Sequence, residues 1–218
     1  MTRIHTTLAA LALVAWAMPA ANAATISTLY NTGVDAGGTP LAEDSVDLHY
    51  TVTGGSSGPA AYVTTSAGGY PVGPWLGDTA LSAWLAPATD TNGSFNTVYT
   101  YTTTFDLTGL DPLTAVITGM WAADDGFGLS DIILNGVPTG QLSGGFSTWT
   151  NFSLTSGFVP GVNTLAFQAQ NSGGGPTGVR VEMNGTAAPE GGATVGLLGL
   201  GLVGVETFRR RLNKRRAN

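Results

Sequence analysis

The chain has 218 residues, 32 of them glycine and 11 proline, and only 10% of its residues are charged. Between residues 24 and 187 Arg180 is the only Lys or Arg, whereas twelve of the fourteen acids lie there, which gives this stretch a formal charge of -11. Such a surface repels phosphate backbones and excludes nucleic-acid binding, while the lack of cysteine excludes disulfides and the scarcity of histidine excludes a zinc site.

The N-terminus has the parts of a secretory signal peptide. Arg3 precedes an uncharged apolar stretch at residues 8–18, and small residues follow at Ala21 and Ala23. This pattern predicts that signal peptidase cleaves after Ala23, so that residues 1–23 are a signal peptide. The alternative is an uncleaved anchor, which the shortness of the apolar stretch disfavours.

Residues 24–187 alternate apolar and polar side chains with period two, as half-buried antiparallel strands do. Tyr99, Tyr101 and Phe105, for example, share one face of a strand, and Asn135-Gly136 is a hairpin turn signal. Eight strands are predicted, at residues 46–53, 60–66, 79–85, 96–107, 113–121, 131–135, 165–169 and 179–184. The pattern predicts one all-β domain over residues 24–187, a single antiparallel β-sandwich of jelly-roll type.

The tail, residues 188–218, has three parts in a fixed order. Pro189-Glu190-Gly191 comes first, and an apolar segment at 193–208 follows. A basic end at 209–216 then begins with Arg209, Arg210 and Arg211. Sixteen helical residues span about 24 Å, which is short of the roughly twenty residues that a stable span needs, and Glu206 interrupts them. The arginines are expected to stay cytoplasmic, so the pattern predicts a short transmembrane helix at 193–208 that tethers the body to the inner membrane.

This three-part order resembles the PEP-CTERM sorting signal of Gram-negative bacteria that make extracellular polysaccharide. The resemblance implies recognition by an exosortase, a membrane cysteine protease, and cleavage near Pro189-Glu190. Gly191 stands where the signal has a second proline, and Glu206 stands where the signal is usually apolar. The implied destination is the cell surface or the extracellular matrix, after a transient stay in the inner membrane.

The body also resembles a recurrent module of such exported proteins. The resemblance lies in residues 29–41, 74–76, 100–112, 117–136 and 161–182. The plan of that module is similar to galactose-binding-like and carbohydrate-binding jelly rolls. It implies a protein that associates with exopolysaccharide in a biofilm, although sandwiches of this kind host many roles.

Asp124-Asp125-Gly126, followed by Asp131 and Asn135, is the candidate metal site. Carboxylate and amide oxygens are the ligands that Ca²⁺ prefers. Residues 123–136 also resemble the Asp-Asp loop of PA14-like adhesin domains, where such a pair holds Ca²⁺ against a sugar. The alternative is a solvated acidic turn between two strands.

Aromatic side chains are the second candidate feature, because they can stack on sugar rings. Trp75, in a proline-rich loop, is expected to be exposed, and Trp149 is a second candidate. Trp121 is in phase with core residues and is expected to be buried.

Catalysis has few candidate groups. His49 alternates within a predicted strand, and the chain has no GxSxG nucleophile motif. Asp124 and Asp125 are expected to point apart on an extended chain, whereas glycosidase carboxyls face each other across a sugar. The sequence predicts a non-enzymatic protein that binds polysaccharide. A purely structural matrix protein is the alternative, and a glycan hydrolase is the least favoured interpretation.

Overall fold

A computed structural model describes residues 22–56, 58–126, 128–191, 199, 201 and 203–209. One compact unit spans Asn22–Glu190 and contains every described strand. The predicted body, residues 24–187, falls within this unit. Of the predicted signal peptide, residues 1–21 lie outside the described residues.

The described body is built from short and medium strands, with 3₁₀ turns at Ser66–Gly68 and Pro112–Thr114. In chain order the strands are β1 (Ala24–Thr25), β2 (Val46–Thr53), β3 (Ala60–Val63), β4 (Leu85–Ala86), β5 (Asn92–Gly93), β6 (Thr97–Asp106), β7 (Val116–Asp124), β8 (Ile132–Leu134), β9 (Val137–Pro138), β10 (Thr150–Leu154), β11 (Val162–Asn171), β12 (Gly175–Pro176) and β13 (Gly178–Ala187).

Eleven of the described strands form one sheet, in the order β10-β7-β13-β4-β3-β2-β6-β11-β8-β9, with β1 also paired to β13. The remaining two, β5 and β12, pair with each other. Every pairing is antiparallel. The predicted all-β, antiparallel class is therefore confirmed, as a sandwich-like sheet that curls on itself.

The core lies where the two ends of this curled sheet face each other. The Trp121 ring on β7 lies 5.6 Å from the Phe167 ring on β11, and Phe152 on β10 lies 5.9 Å from the same ring, centroid to centroid. Trp121 is fully buried, as its phase predicted, and so are Tyr99 and Tyr101 on β6. Truncating such an aromatic to alanine costs about 3–5 kcal/mol, so these contacts dominate closure of the sheet.

The predicted strand at 79–85 is mostly wrong, because only Leu85–Ala86 pairs with neighbouring strands. The residues before it form a loop that supplies polar partners to the buried side chain of Arg180. Arg180 Nε donates to Ser82 Oγ at 2.8 Å and Nη2 donates to Thr79 Oγ1 at 3.0 Å. The guanidinium also donates to the carbonyl of Gly77.

Two further differences concern β7 and β10. The strand predicted at 113–121 begins later than expected, because residues 112–114 form a 3₁₀ turn and β7 begins only at residue 116, which leaves Leu113 89% exposed. β10 was not predicted. Its buried residues, Phe152 and Leu154, are too few to make a recognisable alternation by themselves.

The second unit comprises residues 1–21 and 191–218, and it is described only in part. Residues 203–209 are helical, whereas 192–198, 200, 202 and 210–218 lie outside the described residues, and with them much of the predicted 193–208 span, Arg210 and Arg211. Within the described part of the chain, no helix combines the length and the apolar character needed to cross a membrane.

Substitution of Arg180 tests how the loop at 77–82 contributes to stability. Its side chain is 1% exposed and contacts the Glu182 carboxylate at 3.4 Å. Arg180→Met keeps most of the apolar stem but leaves the buried partners unpaired, so we expect a loss of about 3 kcal/mol in the free energy of unfolding, measured with urea. Asn184→Ala, exposed on the same strand, should change it by less than about 0.5 kcal/mol. Equal effects of the two substitutions would contradict this role.

Candidate functional site

Two adjacent carboxylates mark the end of the sheet where β7, β11 and β12 meet. Asp124 is the last residue of β7 and is 5% exposed, and Asp125 follows in a bend. The peptide bond between them is cis. The side chain of Asp125 interacts directly with that of Asp124 and raises its pKa. The expectation that they point apart is wrong, because the alternation of the strand ends at Asp124.

Backbone contacts fix Asp125 against the end of β11. Its N–H donates to the carbonyl of Gln170 at 2.8 Å, and its Oδ2 accepts from the N–H of Ser172 at 2.8 Å. The hydroxyl of Ser130 donates to its carbonyl and accepts from the N–H of Gln170, which ties the loop after β7 to the same strand. Asp125 is thus held by three hydrogen bonds.

Asp124 is held from the opposite side by Thr177, whose hydroxyl donates to the Asp124 carbonyl at 2.5 Å. The following Gly126 lies against a second loop, since a Cβ at this position would come within 2.1 Å of the Gly145 Cα. A larger residue at 126 would therefore push the two loops apart. Sequence patterns contain no signal for Ser130 or Thr177, because isolated hydroxyl residues are common in loops.

The electrostatics of the pair are unusual. Burial, followed by the hydrogen bond and the negative charge of Asp125, raises the pKa of Asp124 to about 7. A hydrogen bond from the side chain of Trp75 acts in the opposite direction. No positively charged side chain contributes to this shift, and Arg180, the only Lys or Arg between residues 24 and 187, is bonded elsewhere. Near neutral pH Asp124 is therefore partly protonated.

Asp131 and Asn135, the other half of the predicted calcium site, serve a different purpose. Asp131 Oδ1 accepts from the N–H of Ile132 and its Oδ2 accepts from the N–H of Gly140. Asn135 Nδ2 donates to the carbonyl of Gly157. These bonds support the β8–β9 hairpin and the strand beside it. The predicted grouping of four ligands is therefore wrong, and the described chain contains no cluster of three or more His, Cys, Asp or Glu side chains that could hold a metal.

The hairpin itself is as predicted. Asn135 and Gly136 have φ values of 50° and 79°, and they join β8 directly to β9. Two successive positive φ values are characteristic of the tight turns that Asn-Gly favours.

The tryptophans do not form an exposed platform. Trp75 is 8% exposed, which contradicts the expected exposure, because its ring packs 4.4 Å from that of Trp84 and 5.8 Å from that of Tyr70. Trp149 is half-buried, and the Arg180 guanidinium covers one face of its ring at 4.7 Å. Trp75 instead acts on the pKa of Asp124, which its side chain lowers, a role that its sequence context did not indicate.

A polar cleft of about 430 Å³ lies at the same end of the sheet. The side chains that line it are mostly hydroxyls, amides and carboxylates together with two tyrosines: Ser56, Tyr62, Thr89, Asp90, Asn92, Ser94 and Tyr99. Gly93 in the cleft wall is packed on Thr177, the residue that bonds the Asp124 carbonyl. The cleft and the carboxylate pair therefore share one structural support.

The pH dependence of stability tests the buried carboxyl. Because the pKa of Asp124 is about 7 in the folded chain and near 4 when unfolded, the folded state binds more protons between those values. In the presence of EDTA we therefore expect the contribution of Asp124 to the unfolding free energy to decline as the pH rises from about 4 to about 7. Asp124→Asn should lose this decline, so its stability relative to the wild type should rise with pH. A difference that is constant between pH 4 and pH 8 would contradict the assignment.

Comparison with known proteins gives no further support for a function. No known protein family matches the chain, and no curated protein matches it significantly. The PEP-CTERM, galactose-binding-like and PA14-like resemblances thus remain predictions. The carboxylate pair and the cleft beside it are the structural features from which a function can be inferred.

Proposed function

We propose that the chain is an exported surface or matrix protein whose body binds Ca²⁺ through Asp124 and Asp125 and binds polysaccharide at the same end of the sheet. The observation that carries this proposal is a pair of adjacent, interacting carboxyls, one of them 5% exposed. The only Lys or Arg between residues 24 and 187, Arg180, is bonded to other groups. A jelly-roll topology of galactose-binding-like type belongs to the same proposal.

The donor set fits Ca²⁺ better than other metals. Two carboxylates supply up to four oxygens, and Ca²⁺ takes six to eight oxygen ligands, many of which can be carbonyls, waters or hydroxyls. Sulfur is absent from the chain except in four methionines, and His49 stacks on Tyr30 at 3.7 Å, so zinc has no ligand set here. A bound cation would replace the proton of Asp124 and remove the electrostatic cost of ionising Asp124.

The polar cleft supports a carbohydrate as the organic ligand. Sugar hydroxyls pair with hydroxyl, amide and carboxylate groups, which are the groups that line the cleft, and Tyr62 is a partly buried aromatic ring within it. The negative charge of the body, -11 over residues 24–187, disfavours polyanions unless Ca²⁺ bridges them.

Export and sorting complete the proposal. The signal-peptide pattern at residues 1–23 and the PEP-CTERM-like tail at 188–218 support secretion, tethering in the inner membrane and processing by signal peptidase and an exosortase, followed by release to the surface or biofilm matrix. These steps concern the location of the body, whereas the proposed ligand binding depends on the carboxylate pair and the cleft.

A glycan hydrolase is not favoured by the geometry. Retaining glycosidases keep their carboxyls about 5 Å apart and inverting enzymes about 6.5–9.5 Å apart, so that a sugar or a sugar and water fit between them. Asp124 and Asp125 are neighbours in the chain, and the side chain of Asp125 acts directly on that of Asp124, so the pair does not resemble two carboxyls that face each other across a sugar. We therefore propose that the protein is not an enzyme. If neither Ca²⁺ nor a polysaccharide binds in the following experiments, the alternative of a purely structural matrix role is favoured.

Calcium binding can be measured directly. Titration calorimetry at pH 8 should show Ca²⁺ binding that weakens as the pH falls below about 7, because protons compete for the same carboxylates. At a hundredfold excess over its Kd, Ca²⁺ should stabilise the fold by about 2.7 kcal/mol. Asp125→Asn should abolish both effects, whereas Asp106→Asn, an exposed carboxylate that bonds Thr108, should retain them. Identical calorimetry and melting with Ca²⁺ and with EDTA would overturn the metal proposal.

Polysaccharide binding is tested with a glycan array, with and without Ca²⁺. We expect binding to at least one neutral glycan that Tyr62→Ala lowers by about tenfold, because the ring lines the cleft. Tyr30→Ala serves as the control, since Tyr30 is also partly exposed but lies outside the cleft. If no glycan binds with or without Ca²⁺, the polysaccharide proposal fails and the structural matrix role is favoured.

A further inference from the structure

The residues that connect β13 to the tail are bonded to the folded body. The N–H of Asp111 donates to the carbonyl of Ala188 at 2.7 Å, and the N–H of Glu190 donates to the carbonyl of Gly109 at 3.0 Å. Between these bonds, Pro189 faces Leu110 in an isolated antiparallel bridge. The backbone of 188–190 thus continues the sheet beyond β13 along residues 109–111.

Thr114 secures the same segment with its side chain. Its hydroxyl accepts from the N–H of Ala188 at 2.8 Å and donates to the carbonyl of Asp111 at 2.8 Å. Proline has no N–H, so both N–H groups that residues 188–190 possess are bonded to the body. The side chains of Pro189 and Glu190, in contrast, are exposed.

We propose that the processing cut in the tail lies C-terminal to the peptide bond that follows Glu190, so that the mature chain keeps Pro189 and Glu190 as the docked end of its last strand. This inference rests on the proposed processing. It narrows the expectation of a cut near Pro189-Glu190, because the side chains of the motif are exposed to an enzyme while its backbone stays bonded to Gly109, Asp111 and Thr114.

The physical reason is competition for backbone groups. A peptide bound in extended form uses its own N–H and C=O groups as hydrogen-bond partners, and susceptibility to proteolysis follows the freedom of the backbone rather than its position in the sequence. A protease that cut within residues 188–190 would have to open this end of the sheet first. The rate of cleavage is then proportional to the small fraction of molecules in which this end of the sheet is open at any time.

A protease in solution tests the docked backbone without the native processing enzyme. The full-length chain, purified from a host that leaves the tail intact, is treated with a Glu-specific endoprotease, and cleavage after Glu190 is followed by mass spectrometry. Thr114→Val removes one bond to Ala188 and should speed this cleavage about fivefold relative to the wild type. Thr118→Val, an exposed threonine on β7 whose hydroxyl contacts Asn184, should leave the rate unchanged. Equal rates for wild type and Thr114→Val would overturn the docking.

The intact mass of the protein from its native host locates the cut itself. A mature chain whose last residue lies beyond Glu190, with the arginine cluster removed, is the expected result. A chain that ends at Ala188, Pro189 or Glu190 would overturn the inference while leaving the proposed processing in place. A chain that retains residues 209–216 would overturn the processing and the inference together.

Discussion

The packing of Trp121 and Phe152 on Phe167 is the interaction on which the rest of the structure depends. It brings β7 and β10, at one end of the hydrogen-bonded strand order, against β11 near the other end. Asp124 follows Trp121 by three residues and Asn171 follows Phe167 by four, so the ends of β7 and β11 arrive at the same edge. The N–H of Asp125 can then reach the carbonyl of Gln170, and the candidate site is a consequence of how the core closes.

A scarcity of positive charge shapes what this edge can do. The single arginine of the body is buried and its guanidinium bonds Ser82, Thr79, Gly77 and Glu182. No Lys or Arg of residues 24–187 is therefore available to Asp124 and Asp125, and burial, followed by the hydrogen bond and the charge of Asp125, raises the pKa of Asp124. A proton or a divalent cation can compensate the pair, and the choice between them depends on pH. This dependence would let a protein outside the cell respond to the calcium and acidity of a polysaccharide matrix.

Local patterns in the sequence predicted the features that depend on local structure. Alternation identified the buried faces of Tyr99 and Tyr101, and the Asn135-Gly136 turn followed from the backbone freedom that Asn and Gly share. The loop at 77–82 was missed because its cause, the side chain of Arg180, lies about a hundred residues away in the chain. The predicted exposure of Trp75 was wrong for a similar reason, since the rings that cover the Trp75 side chain belong to Tyr70 and Trp84. Within the site, Asp124 and Asp125 could be found because they are adjacent in the sequence, whereas the burial of Asp124 required the folded structure.

The most direct test of this account is a carboxyl ¹³C NMR titration of Asp124 and Asp125 in the full chain. Without Ca²⁺, the Asp124 signal should titrate with a midpoint at about pH 7. With saturating Ca²⁺, the midpoint should move below about pH 5, because the cation stabilises the ionised pair. A midpoint near pH 4 without Ca²⁺, or one that Ca²⁺ does not move, would contradict the claim that this pair is a cation site.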